Sequence, residues 1–226
     1  MARLKGARLK IGVLISGRGS NLQALIDACA RPDYPAEIAL VIANRADAFG
    51  IERARQAGVP ALVIPHRDFP DREGFDTALD AALRQAGVEL VCMAGFMRIL
   101  TAWFVERWRD RQINIHPSLL PAFPGLHTHE RALAAGIRFT GCTVHFVRLG
   151  VDTGPIIAQA AVPVLPDDDA DRLAARVLAA EHRLFPLALR LVAEGKTRIV
   201  ADADGSERVV IADAAAPADA ILNPTD

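Results

Sequence analysis

Asn114 and His116 stand either side of Ile115 in "NIHPSLLP", so in an extended chain both side chains project to the same side. At the carboxyl end of a strand in an open α/β sheet, where ligands bind, that pairing has a chemistry. A side-chain amide donates a hydrogen bond to a developing oxyanion, and an imidazole moves a proton near neutral pH. Both suit acyl transfer; the alternative is a loop-capping Asn beside a structural His. Asp152, in the glycine-flanked turn "LGVDTGP", is the third candidate. A buried carboxylate there would raise the pKa of a nearby histidine, while the local sequence equally allows an Asx-turn aspartate.

The chemistry is narrowed by what is missing. There is no GxSxG elbow, and none of Cys29, Cys92 and Cys142 stands beside a plausible base, so an acyl group would pass directly, without a covalent carrier. His127 and His129 have i, i+2 spacing and no clear third ligand, so no metal is expected. His66, His145 and His182 draw no catalytic role from spacing.

A second site begins at "IGVLISGRGSN", where an apolar strand runs into two glycines one residue apart and then a polar pair. Strand, tight turn and helix N-terminus together make an anion site, because unpaired N–H groups and the helix dipole converge there. Leu22 stands where a dinucleotide fingerprint needs its third glycine, and "ANRAD" lacks the ribose-binding acid. A triphosphate loop would need Lys and Ser or Thr after Gly19, where Ser20 and Asn21 follow instead. Gly19, Ser20 and Asn21 therefore suit one phosphate monoester, with Arg72 of the loop "FPDREG" as a second clamp. The bland alternative is a turn that merely needs glycines.

The elements that must position these groups alternate strand with helix, the pattern of a mostly parallel α/β sheet flanked by helices, Rossmann-like in its first half. Strands are expected at Ile11 to Ile15, Ile38 to Ile42, Ala61 to Ile64, Leu90 to Ala94 and Gln112 to Ile115. Helices are expected from Leu22 to Ala30, Ile51 to Ala57, Phe75 to Ala86 and Ala102 to Arg109. The proline-rich stretch "NIHPSLLPAFPGLHTH" reads as a long functional loop. Beyond it the second half turns antiparallel. "TGCTVHFV" reads as a strand with one buried face, paired with Ile156 to Val162. "PDDD" caps a long helix from Asp171 to about Val192, bent near Pro186, and Asp204-Gly205 marks a hairpin between Thr197 to Val200 and Arg208 to Ile211. One domain over residues 1–211 is expected, with a flexible tail over 212–226.

The 226 residues carry 26 Lys plus Arg against 27 Asp plus Glu, a formal charge of -1, so neither nucleic acid nor an anionic membrane is an expected partner. No apolar run approaches the roughly 20 residues of a membrane span, and the start does not read as a signal peptide. The cysteines are odd in number and lack CxxC spacing, so the cytosol is the expected compartment.

Taken together, "ISGRGSNLQALIDA", "ADAFGIERARQAG", "AGFMRIL", "NIHPSLLPAFPGLHTHERAL" and "VDTGPII" resemble the glycinamide ribonucleotide formyltransferases of purine biosynthesis, from about residue 10 to residue 200. "NIHPSLLP" belongs to the wider formyltransferase superfamily; "SGRGSNLQA" with "GLHTHERAL" is specific to this branch. The resemblance implies a formyltransferase fold, 10-formyltetrahydrofolate as co-substrate and 5'-phosphoribosylglycinamide as acceptor. It implies that Asn114, His116 and Asp152 are catalytic, with His116 the proton donor and Asp152 holding it in its acidic form. It implies that Gly19, Ser20, Asn21 and Arg72 hold phosphate and ribose and that Glu181 lies near the glycinamide end. For the folate it implies Met97, Arg98, Ile99 and Leu100, with Arg98 facing the glutamate tail, together with Asn114 and the loop Arg148, Leu149, Gly150, Val151 and Asp152. Some relatives carry Gly at Thr153 and Asn at Arg18, changes that would alter loop geometry or phosphate affinity.

Competing expectations are a formyltetrahydrofolate hydrolase, a methionyl-tRNA formyltransferase and a non-catalytic phosphate-metabolite binding module. The short lead before the first strand and the short acidic tail speak against the first two. A monomer or homodimer is expected, with small molecules as the only other partners.

Overall fold

The computed structural model describes residues 7–213 and 223. Contacts gather the chain into two units: residues up to Asn114 with Phe146–Leu149, and Ile115–His145 with the chain from Gly150. The expected flexible tail lies, apart from its first two residues and Asn223, outside the described residues.

In the first unit the apolar runs become strands β1 (Leu9–Ile15), β2 (Ala36–Ala43), β3 (Ala61–Val63) and β4 (Leu90–Met93), and β5 (Gln112–His116) enters it through Gln112 to Asn114. They lie in the order β3-β2-β1-β4-β5, all parallel. Chain order reverses between β1 and β4, so the carboxyl ends of those two strands flank the switch point where such sheets bind ligands. Helices α1 (Ser20–Cys29), α2 (Gly50–Gln56), α3 (Arg72–Gln85) and α4 (Ala102–Arg107) make the crossovers. Leu14, Ile42, Phe75, Leu79, Met93, Phe104 and Trp108 share one core, each such side chain contributing about 1.5–3 kcal/mol by leaving water.

Two boundaries move the candidate residues. Helix α1 begins at Ser20, ahead of the expected Leu22, so Ser20 and Asn21 form its first turn. Helix α3 begins at Arg72 because the Asp71 carboxylate caps it, accepting from Gly74 N–H at 2.8 Å. Arg72 is therefore an exposed first-turn residue of a helix, and the expected loop setting is corrected.

The second unit holds α5 (Thr128–Ala134), the antiparallel pair β6 (Phe139–Phe146, whose last residue is grouped with the first unit) and β7 (Ile156–Pro163), helix α6 (Ala170–Ala193) and the hairpin β8 (Thr197–Ala201) and β9 (Glu207–Ile211). Asp169 caps α6 by accepting Arg172 N–H, and the helix runs on across Pro186. Helix α5 was not expected: it begins inside the stretch read as loop, and its left-handed cap, His127, carries no side-chain cap bond to announce it. Strand β6 is also not half-buried, since every residue after Phe139 is buried. Its polar residues are paired inside: Thr143 Oγ1 accepts from Leu120 N–H at 3.0 Å and donates to the Ser118 carbonyl at 2.7 Å. Asn223 donates to the carbonyls of Arg138 and Val164.

Candidate active site

The glycine turn of the first unit is built from backbone. Gly19 sits at φ 69°, ψ 33° and gives α1 no side-chain cap, and the first turn of the helix holds no acidic residue, a setting in which the helix dipole favours an anion. Gly19 is required twice over, since a Cβ there would sit 2.7 Å from the Gly50 Cα. Sequence reasoning missed the residues on the far side of this contact. Gly50 donates its N–H to the Gly17 carbonyl at 3.1 Å, and Arg53 Nε donates to the Arg18 carbonyl at 2.9 Å. Their signal was present in "ADAFGIERARQAG", where a glycine opens a helix against the turn. Arg18 thus serves the turn through its carbonyl, whichever side chain stands there.

Next to the turn runs the segment after β4. Ser16 N–H donates to the Gly95 carbonyl at 3.1 Å, and Met97 N–H donates to Ser16 Oγ at 2.8 Å. Met97 and Ile99 are exposed and Leu100 is buried, while Arg98 Nε is buried with no hydrogen-bond partner among the described residues. Arg148 lies in the same unit, where it donates to Asp110 at 2.7 Å and to the Val147 carbonyl, with Leu149 exposed beside it.

In the second unit three ionisable side chains meet. His116 Nδ1 lies 3.2 Å from Asp152 Oδ2, and His145 Nε2 lies 3.7 Å from Asp152 Oδ1. Gly125 N–H donates to Asp152 Oδ2 at 2.8 Å, and His116 Nε2 faces the Phe123 carbonyl at 2.9 Å. Both ring nitrogens of His116 thus face acceptors, an arrangement that only the imidazolium satisfies fully. Asp152 adopts φ 54°, a conformation uncommon outside glycine, and this aims its carboxylate at both histidines.

Burial pushes Asp152 up, but the His145 imidazole, the Gly125 N–H and His116 together outweigh it and hold the carboxyl below its ordinary range. For His116 the balance falls the other way. Burial pushes it down, the Phe123 carbonyl and Asp152 push it up, and His145 and Arg131 oppose them, so its pKa ends below the ordinary value. Asp152 thus lifts this histidine, as the sequence leads one to expect, but desolvation lowers it by more, and the net shift is downward.

Thr153 closes the same loop, its hydroxyl donating to the Gly150 carbonyl at 3.1 Å. Val151, Asp152 and Ile156, with Leu120 and Pro121, line a cavity of about 280 Å³. Glu181 is buried on α6, where its charge adds to burial in pushing the Cys142 thiol up to about 12. Cys29 is likewise pushed up to about 12 by burial, and burial also raises Cys92, so all three free thiols are held neutral. Among the described residues no group of three or more His, Cys, Asp or Glu side chains is arranged to hold a metal ion, and no helix is long and apolar enough to cross a membrane.

Comparison with known proteins gives this geometry a context. Residues 9–189 match the formyl transferase family model. The chain is 57% identical over 202 residues to the trifunctional purine biosynthetic protein adenosine-3 of Drosophila pseudoobscura pseudoobscura, covering 88% of this chain and 15% of that protein. It is 46% identical over 191 residues to phosphoribosylglycinamide formyltransferase of Escherichia coli (strain K12), covering 84% of this chain and 90% of that one. The crystal structure of glycinamide ribonucleotide transformylase 1 from Symbiobacterium toebii superposes with a TM-score of 0.87 at 50% identity, over 94% of this chain and 99% of that chain.

Proposed function

The chain belongs to the formyl transferase family, and from that membership we propose that it transfers the formyl group of 10-formyltetrahydrofolate to the amine of 5'-phosphoribosylglycinamide, in de novo purine biosynthesis. The trifunctional relative is far longer than this chain, and only the formyl transfer is carried over from it. The family match runs through both compact units, which supports reading residues 1–211 as one formyltransferase domain.

The observation that carries the mechanism is the His116–Asp152 contact at 3.2 Å, with Asn114 two residues before His116 on β5. The amine nitrogen attacks the formyl carbon, and the carbonyl oxygen becomes a tetrahedral oxyanion. The Asn114 amide and the protonated His116 stabilise that charge. Burial keeps His116 below its ordinary pKa at rest, and the oxyanion's negative charge, added to that of Asp152, raises it during the reaction. The oxyanion, a stronger acceptor than a neutral carbonyl, takes the place of Phe123 O at Nε2. The C–N bond to the folate then breaks, the folate nitrogen gains the proton that the amine loses, and His116 passes it directly or through water. No covalent acyl carrier is invoked, in keeping with three thiols held neutral by burial.

Gly19, Ser20, Asn21 and Arg72 are the proposed phosphate and ribose contacts, and Glu181 the contact to the glycinamide end. Met97 to Leu100, Asn114 and Arg148 to Asp152 are the proposed folate contacts. The largely apolar cavity beside Val151 and Asp152 suits a flat heterocycle, and the unpartnered Arg98 Nε suits a carboxylate. Three free thiols fit the reducing cytosol.

Absorbance-monitored loss of the formyl group, with the amine and with water alone, tests the proposal. Turnover only with the amine, lost in His116→Ala, is expected. Turnover in water alone would make the chain a hydrolase, and binding without turnover would leave a metabolite-binding module.

A further inference from the structure

The segment from Gly95 to Thr101 has no regular secondary structure of its own, yet it must present the exposed Met97 and Ile99 side chains (67% and 64% accessible) in a fixed direction. Two anchors in the first unit do this. At one end Ser16 takes the Met97 N–H on its hydroxyl and gives its own N–H to the Gly95 carbonyl. At the other, Asp76 Oδ2 accepts the Thr101 N–H at 2.7 Å, and Thr101 in turn caps α4.

The anchors belong to the elements that carry the proposed phosphate contacts. Ser16 is the residue between the end of β1 and the glycine turn, at the switch point of the sheet. Asp76 lies one helical turn after Arg72 on α3 and is 1% accessible. A carboxylate so deeply buried is costly unless it is used, and its Oδ2 is given to the Thr101 backbone.

We propose that Ser16 and Asp76 are positioning residues that couple the phosphate site to the folate site, so that each substrate tightens the binding of the other. An anion ordering the N–H groups of the glycine turn also orders Ser16, and with it Met97. A folate that then docks on 97–100 meets a segment whose ordering cost has been met in part. Linkage makes the effect reciprocal: the folate strengthens phosphate binding by the same factor. The inference rests on the site reading above, and its test separates the two.

The test measures the dissociation constant of a 5,8-dideazafolate analogue with and without saturating 5'-phosphoribosylglycinamide, and then the reverse. The unaltered protein is expected to bind the analogue about five- to twentyfold more tightly in the presence of the phosphorylated amine. In Ser16→Ala the ratio falls towards one, while the amine's affinity in the absence of folate changes less than about twofold. Asp76→Asn keeps an acceptor oxygen for Thr101 N–H and retains the coupling; Asp76→Ala loses it. If Asp76→Ala does not fold, Ser16→Ala and Asp76→Asn carry the test. Under turnover, Ser16→Ala raises the folate KM at saturating amine and leaves kcat within about threefold. Two ligands that bind independently of one another, or a ratio unchanged in Ser16→Ala, overturn the coupling and leave the site reading intact. Failure of either ligand to bind the unaltered protein removes the site reading, and the coupling with it.

Discussion

At the glycine turn of the first unit, what a ligand meets is backbone: a left-handed Gly19, an uncapped helix start and a neighbouring Gly50 that allows the close approach. Around Asp152 in the second unit it meets side chains drawn from separate stretches of chain, with His116 and His145 on either side of one carboxylate and Gly125 N–H beneath it. As the proposed anion site, the turn would bind through dipoles that do not titrate. The cluster, as the proposed catalytic site, would work through charges whose state depends on burial and on each other. The first arrangement suits holding a constant anion, the second moving a proton, and substitutions in the two regions should separate accordingly.

The largest effect is expected at the cluster. His116→Ala should lower kcat about a thousandfold and leave the KM of either substrate within about threefold, the signature of a group that acts in the transition state. Steady-state kinetics at saturating concentrations of both substrates checks this; a loss smaller than about tenfold would move proton transfer to another group. Asp152→Asn should follow at about a hundredfold in kcat, because the amide keeps a hydrogen-bond acceptor and loses the charge that supports the imidazolium.

At the turn the pattern reverses. Gly19→Ala places a methyl 2.7 Å from the Gly50 Cα and holds a non-glycine residue at φ 69°. It should weaken the phosphorylated amine about tenfold or more and cost about 1–2 kcal/mol of stability, leaving kcat at saturation within about threefold. Calorimetric binding of the amine together with urea melts would check it. A fall in kcat without a change in affinity would break the division between a holding site and a reacting one.

The same division explains what was legible in the sequence. The strands and helices of the first unit follow from local patterning, and the turn was readable because glycine spacing, an apolar strand and a helix start lie within eleven residues, Ile11 to Asn21. The same-side relation of Asn114 and His116 was equally local. The contact of His116 with Asp152 spans thirty-six positions, and no pattern in either neighbourhood specifies it; it was reached through resemblance to a family. His145, read from the sequence as a residue without a catalytic role, proved to face the other oxygen of that carboxylate. Helix α5 escaped notice because proline and histidine dominate its approach and its cap is a left-handed His127. The direction of the His116 shift was hidden for a different reason: charge pairs are visible in a sequence, whereas the desolvation that outweighs them exists only once the core has closed.

The smallest effect is the most discriminating, because it measures that balance directly. Burial holds folded His116 below its ordinary 6.5, so its contribution to stability is present above pH 6.5 and is lost as pH falls through the folded value, the unfolded chain taking up the proton first. Asp152, held below its ordinary 3.8, contributes stability above pH 3.8 that is lost as pH falls through its own lower value. In Asp152→Asn the attraction that lifts His116 is gone while its burial remains. Its pKa should therefore drop further, and the loss of stability below pH 6.5 should become larger. Titration of the His116 ring by NMR, with urea melts at pH 5 and pH 7.5, reads both quantities. In Gly19→Ala neither should move. A His116 pKa that rises in Asp152→Asn would mean that removing the charge had opened the site to water, making the carboxylate a gatekeeper of solvent more than a partner of the imidazole.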